Sequence, residues 1–403
     1  MNYSAKLFTI LCLASTALSL PALAQDSEAP PAVQAFLDNI ERQTKVKPTF
    51  ESLETDGDGN VTIANLSISK EGAAGEPGMT MKVAEATFED LSDEGDGLFQ
   101  IGSATFSNTT AEMKGPEMSF TATIPEASAE GWYVTDLGDS PSPAEAMRAA
   151  STIARKLEAG KMTIAAQGQS VTIDGFSTTW DGDPKTGAGD FTSKISNIAI
   201  PESLIAMMDQ GGMLKQLGYS NLSFDIASTG KMSIKGDNLD YAFDVGLTGR
   251  DIATIKLALA AADIPMAVYS ELQKMQDGGK QPDFTALMPQ IQAISLSGAS
   301  VRFEDQSITK KVLPMIAAMQ GMDEKTLIAS VGPMMQMGLM QLQNQAFAEQ
   351  TAAAVNSYLA DPKSLTIAAK PAAPVKVSDL MTLNPNAPGE AITKLGVSVS
   401  AND

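Results

Sequence analysis

The chain contains no histidine, and its single cysteine, Cys12, stands close to the start. Without imidazole there is no Ser-His-Asp triad, no histidine-activated thiol and no histidine ligand for a metal. If Cys12 leaves with a cleaved leader, thiolate zinc, iron–sulfur sites and disulfides are excluded too. Aromatic residues make up only 5%, with two tryptophans, so the core has to be mainly aliphatic. Positive charge is also short: 28 Lys and Arg stand against 48 Asp and Glu, a formal net charge of −20. Such a surface repels nucleic acid and anionic headgroups, so no nucleic-acid partner is expected.

What is present begins with a leader. Lys6 supplies a short positive segment, "LFTILCLASTALSL" (7–20) an apolar core, and "ALA" (22–24) the small-x-small pattern before a cut at Gln25. The apolar run is too short for a spanning helix, and a lipoprotein signal would need a small residue where Leu11 precedes Cys12. The expectation is export to the periplasm, a signal peptide over 1–24, and no transmembrane segment afterwards. Cleavage leaves 379 of the 403 residues and moves the charge from −20 to −21, because Lys6 is lost. An exported chain without disulfides must rest on its hydrophobic core or on bound partners. Apolar content is 43%, and methionine reaches 22 residues. Methionine fills irregular gaps and lines adaptable surfaces, so this composition suits a plain core or one that accommodates lipid.

Periodicity changes along the chain. Val33, Phe36, Leu37 and Ile40 fall at i, i+3, i+4 and i+7, the spacing of an amphipathic helix. Strict alternation follows in Met118, Phe120, Ala122 and Ile124, then in Leu222, Phe224 and Ile226. The longest case is Leu239, Tyr241, Phe243, Val245 and Leu247, with Asp240 and Asp244 on the other face. This is the pattern of antiparallel sheet with one wet and one buried face. Further strand-like runs occupy 61–68, 79–88, 98–106, 171–180, 191–200, 255–259 and 294–303, separated by turn clusters such as "SDEGDG" (92–97). Ser142 and Glu145 form a capping box that predicts a helix over 140–160, with Pro143 at its start and Gly160 at its end. Helices are also expected from Pro201 to an interruption at Gly211-Gly212, and near 264–277, 308–320, 323–331 and 334–360, with breaks at Pro314, Gly321 and Pro333. Strands over 364–369 and 396–400 close the chain. "VTIANLSI" (61–68) and "VTIDGFST" (171–178) lie 110 residues apart and hint at a duplicated unit. The expected division is a signal peptide over 1–24, a helix and β-meander unit over 25–140, a second over 141–300, and a helical segment with closing strands over 301–403.

Candidate chemistry is sparse. Ser67, Ser228 and Ser307 each have lysine three residues on, at Lys70, Lys231 and Lys310, and "YSN" (219–221) and "KTG" (185–187) complete a β-lactamase-like set. That chemistry needs serine at a helix start and KTG on a strand after the Tyr-x-Asn element. Here Ser67 lies in a strand-like run, KTG lies in a glycine-rich turn, and the order is reversed. A glycosidase would need two carboxylates in a shielded cleft, and no pair stands out among 48 acids. Met334, Met337 and Met340 could hold Cu(I) through thioethers, but spacing of three also places them on one side of a helix as core. In "DGDGNVTI" (56–63), Asp56, Asp58 and Asn60 alternate like calcium ligands. An EF-hand would also need glycine at 61 and glutamate at 67, where Val61 and Ser67 stand, so a turn feeding the strand at Val61 is the better account. No cofactor is expected, and no enzyme activity.

The ending carries a resemblance. "SLSGASVRFEDQSITKKVLPMIAAMQG" (295–321), "YLADPKSLTIAAKPAAPVKVSDL" (358–380) and "LGVSVSAND" (395–403) resemble the C-terminal part of uncharacterised exported proteins of Gram-negative bacteria. The repeated strands are also similar in style to AsmA-like envelope proteins, whose long antiparallel sheets are thought to guide lipids. Unlike those proteins, this chain is expected to have no N-terminal membrane anchor. The resemblance implies an envelope role and brings no catalytic motif. The expected fold is α+β: an extended, curved antiparallel sheet packed against amphipathic helices, with the C-terminal third mostly helical. The expected function is non-catalytic binding of an apolar ligand, a lipid, in a groove lined by Met315, Met319, Met335, Leu339, Leu342, Tyr241 and Phe243. The alternative is an interaction or scaffold protein whose acidic face meets an envelope protein partner.

Overall fold

The computed structural model describes residues 29–72, 77–115, 119–136, 153–209, 211–268 and 284–403. The predicted signal peptide, Met118, the first part of the helix expected over 140–160 and most of that over 264–277 lie outside the described residues. The chain divides into two compact units. One runs to Gly187 and includes Ile195–Ile198; the other takes Ala188–Lys194 and Ala199–Asp403.

The first unit is organised around α1 (Pro31–Thr44). Pro31 occupies the first turn, where its missing N–H costs nothing, and Lys45 at φ 59° ends the helix in the left-handed region. Val33, Phe36, Leu37 and Ile40 are all buried, as their spacing predicted. They meet a sheet in which β1 (Ser52–Thr55), β2 (Val61–Lys70), β3 (Gly78–Gly95), β4 (Leu98–Lys114) and β5 (Ser119–Thr135) pair antiparallel in succession. Beyond β5 lie β6 (Ile153–Ala159), β7 (Met162–Ala166), β8 (Gln169–Ile173) and β9 (Gly175–Gly182). Phe36 lies 5.2 Å from Phe88 and 5.1 Å from Trp132, and Phe106 closes the ring cluster. Burying each such side chain stabilises by ~1.5–3 kcal/mol, and the edge-to-face geometry adds to that. This core is filled.

Four consecutive long strands each carry a positive-φ residue within their length: Asn65, Asp90, Asn108 and Gly131. The flanking pairs place Asp90 opposite Gly102, and Gly102 opposite Gly131. A Cβ on Gly102 would come within 2.6 Å of the Asp90 Cβ. Opposite Asn108 stands Pro125, which has no N–H to give the ladder. Such irregular points bend a strand and raise its twist, so the strands can follow α1.

In the second unit β10 (Gly189–Ile200), which has residues in both, leads to α2 (Glu202–Met208) and α3 (Met213–Gln216). Then β11 (Leu222–Lys235), β12 (Asn238–Gly249), β13 (Ala253–Pro265) and β14 (Ser295–Asp305) form an antiparallel meander, with α4 (Phe284–Ala293) before β14. After α5 (Ile308–Met319), α6 (Glu324–Leu339) and α7 (Gln345–Ala360), β15 (Ser364–Ala369) pairs with β14. The two-residue β16 (Val375–Lys376) pairs with the start of β14. Finally α8 (Val377–Met381) and α9 (Pro388–Lys394) precede β17 (Val397–Ala401), which pairs with β15.

Three expectations need correction. The fold is not α+β with a mostly helical C-terminal third. It is mostly antiparallel sheet, 50% strand against 28% helix, and β14 to β17 run through its last third. Strands were underestimated because bend residues look like turns: β3 continues past Asp90 to Gly95, well beyond its alternating run. Secondly, Ile153–Ala159 is strand, not helix. Local capping signals lose to pairing with β5, where Ala154 faces Trp132 and Leu157 faces Ala129. Thirdly, α6 passes through Pro333, which is exposed and leaves the freed carbonyl to water. The break falls instead at Gln343, φ 54°, after which Asn344 caps α7 by accepting from the Phe347 N–H at 3.0 Å.

Candidate functional site

The sheet strands of the second unit have two faces of opposite character, fixed by register. On one face the first row across β11, β12, β13, β14, β15 and β17 is Ile226, Leu247, Ile255, Phe303, Leu365 and Ala401. The second row is Ser228, Val245, Leu257, Val301, Ile367 and Val399, and the third is Gly230, Phe243, Leu259, Ala299, Ala369 and Val397. These three rows contain no charged side chain.

The reverse face is polar. Its middle row, Ala227, Gly246, Lys256, Arg302, Thr366 and Ser400, sets Lys256 directly beside Arg302. Glu304 resolves that repulsion, its Oε1 accepting from Lys256 Nζ and from Arg302 Nε, each at 2.8 Å. Asp403 accepts from Ser400 at 2.7 Å and from Arg302 at 2.6 Å, which holds its carboxyl at a pKa of about 2. Lys256, followed by Arg302, holds Glu304 below the usual carboxylate range.

The apolar face is partly covered and partly open. Near the β12–β13 turn, Ile205 and Leu217 of the α2–α3 segment pack with Tyr219, Leu222 and Phe224, joined by Val312 and Met315 of α5. At the other side α7 lies against β15 and β17, with Tyr358 edge-on to Phe303 at 6.3 Å. Between these, Leu247, Ile255, Leu257, Leu259, Val301 and Ile367 are 37–50% exposed. In a soluble sheet such a row is normally covered. The alternation expected along β12 is therefore real, but the apolar side is not fully buried.

The seven residues proposed for a groove do not converge on one place. Tyr241 and Phe243 lie on the apolar face, their rings 5.6 Å apart, with Phe191 stacked on Tyr241 at 6.2 Å. Met315 belongs to the helical core at the end of that face, and Met319 is 80% exposed. Met335, Leu339 and Leu342 are half-buried on α6 and the turn after it. The run Met334, Met337 and Met340 is 64–70% exposed, so its assignment to core fails. The buried side of α6 is instead that of Leu327 and Gly332, where Gly332 is pressed against Asn356 of α7. The exposed aliphatics of β13 to β15 were missed, although "IKLALA" (255–260) alternates and carries the signal.

Two of the stretches with a catalytic or metal reading, Ser307 and "DGDGNVTI", take part in local structure. Ser307 does sit at the start of α5, but its Oγ donates to the Asp251 carbonyl at 2.5 Å and pairs with the Tyr219 hydroxyl at 2.9 Å. Lys311 Nζ stands 3.7 Å from the centre of the Tyr219 ring. The serine proton thus goes to a carbonyl rather than a base, and the group fastens α5 to the β12–β13 turn. In "DGDGNVTI", Asp56 Oδ1 accepts from the Asp58 and Asn60 N–H groups at 2.9 Å each, and Oδ2 from Asn60 Nδ2 at 3.1 Å. Those bonds, chiefly from the Asn60 backbone, keep the Asp56 carboxyl below its usual range. The stretch closes the β1–β2 hairpin. Among the described residues no cluster of three or more His, Cys, Asp or Glu could hold a metal ion, and no helix is long and apolar enough to cross a membrane.

A protein-family model described as "Uncharacterized protein" matches residues 246–402, beginning in β12 and ending just beyond β17. The match therefore includes all six exposed aliphatic residues of the apolar face. No curated protein matches the chain.

Proposed function

We propose that the chain is a non-catalytic envelope protein, exported to the periplasm, that binds a lipid on the apolar face of the strands of its second unit. The observation that carries this reading is the contiguous exposure of Leu247, Ile255, Leu257, Leu259, Val301 and Ile367 across four paired strands. Among the described residues, every large exposed hydrophobic side chain belongs to the second unit; the first has a filled core. Exposed methionines on α2, α3, α5 and α6 add adaptable apolar surface to the same unit. The leader pattern and the resemblance to exported and AsmA-like proteins support an envelope location for such a ligand.

The test is native mass spectrometry and lipid extraction of the chain purified from the periplasm, beside a Leu257→Asp/Val301→Asp variant. Bound lipid in the wild type and its loss in a folded variant is the expected result. A lipid-free wild-type protein that takes up no added lipid would overturn the proposal.

A scaffold role is the second reading, favoured by the charge distribution. The first unit has 27 acidic and 12 basic residues, the second 21 and 16. A strongly acidic surface over a filled core suits a basic protein partner. In-cell crosslinking that captures one stoichiometric basic partner through the first unit would establish it.

A further inference from the structure

We infer that the ligand of this face is a long-chain lipid recognised by its hydrocarbon alone, with an uncharged or zwitterionic head and not an anionic one. The inference rests on the lipid-binding reading and specifies what that site selects. Three rows of the face, from β11 to β17, carry no charged side chain. The cations of β11, β13 and β14 project from the reverse face and are already engaged: Lys256 and Arg302 with Glu304, Arg302 also with Asp403, Lys231 with Asp190, and Lys235 with Asp240. An anionic head lying over these three rows therefore meets no guanidinium or ammonium from the strands beneath it. It also meets the field of a unit with 21 acidic and 16 basic residues.

The size of the face agrees with a hydrocarbon occupant. Ile255 to Leu259 spans about 14 Å along the strand, and β12 to β15 about 14 Å across it. One leaflet of a bilayer holds chains about 15 Å deep, half of its ~30 Å core. The strand ladders beneath are paired on both sides from β12 to β14, so the backbone offers no edge for an added peptide strand. Hydrocarbon contact without a head-group contact makes affinity follow chain length, by up to about fourfold per methylene buried.

The experiment is calorimetric titration of the whole chain with monomeric lysophosphatidylcholine and lysophosphatidylglycerol of identical acyl chain, at about 20 mM and 500 mM salt. The zwitterionic lipid is expected to bind at least about threefold more tightly at low salt, with the gap closing at high salt as the protein's field is screened. A shorter-chain pair should bind more weakly by the same factor for both heads. Equal or tighter binding of the anionic lipid at low salt would overturn the inference while leaving lipid binding intact. Binding of neither lipid would instead remove the reading on which it rests. A Leu257→Asp variant with unchanged melting and reduced affinity for both lipids locates the site on this face. Unchanged affinity would place it elsewhere and overturn the inference.

Discussion

Phe191 fills the space that a side chain on Gly230 would need: a Cβ there would come within 2.2 Å of the Phe191 ring. Gly230 faces Phe243 across the β11–β12 ladder, and Phe191 stacks on Tyr241, so a glycine gap and three aromatic rings make one packed unit. The residue that looks like a weak point in β11 is the seat of a ring.

Gly230→Ala should therefore expel or tilt Phe191 and cost ~1–3 kcal/mol, the usual penalty of overpacking. Denaturant unfolding of the single variants Gly230→Ala and Phe191→Ala and of the double variant tests it. The double variant should be markedly less destabilised than the sum, because the alanine methyl then meets only the Ala242 carbonyl oxygen, 3.0 Å away. Strict additivity would mean that the ring does not depend on the glycine.

Core and open face should respond oppositely to substitution. Phe36→Ala opens a cavity among Phe88, Trp132 and Ile40, and should cost ~3–5 kcal/mol. Leu257→Thr on the open face, where the leucine is 42% exposed, removes less buried surface, and β-branched threonine suits a strand, so its effect should stay within ~1 kcal/mol. Paired urea titrations of the two variants check this. A large loss for Leu257→Thr would mean that the face is buried in the folded protein.

The parts of this architecture that could be read from sequence are those governed by local periodicity. The α1 stripe, the hairpin at Asp56 and the strand at Ser364–Ala369 follow from spacing and turn chemistry alone. Misread elements depended on distant partners. Ile153–Ala159 carries helix-end signals yet pairs with β5, and β3 and β4 bend at Asp90 and Asn108 and run on past the ends expected at 88 and 106. The open apolar face was half legible. Alternation showed that Tyr241, Phe243 and Leu247 share a side, but only register shows that Leu257, Val301 and Ile367 form one row with Val245. Whether a face is covered is a tertiary property, and helical spacing alone could not tell that Met334, Met337 and Met340 point away from α7.

Acid should weaken the polar face in a defined window. Asp403 is held at a pKa of about 2 against an ordinary 3.8, first by the Ser400 hydroxyl and then by Arg302. A carboxyl whose folded-state pKa is depressed contributes stability fully above its unfolded value, and loses it as pH falls through the folded one. The contribution should thus be complete above about pH 4 and fade towards pH 2. Its side chain is 49% exposed, so solvent screens the Arg302 pair and the gain at neutral pH should not exceed about 1 kcal/mol. Asp403→Asn keeps the shape and removes the charge. Melting profiles of wild type and variant should differ by a constant amount from pH 7 to 4 and converge between pH 4 and 2. Glu304 titrates in both proteins and so cancels from the difference, although it shares Arg302. Parallel profiles down to pH 2 would show that Asp403 is not held by these contacts, and that the polar face is secured by Lys256, Glu304 and Arg302 without it.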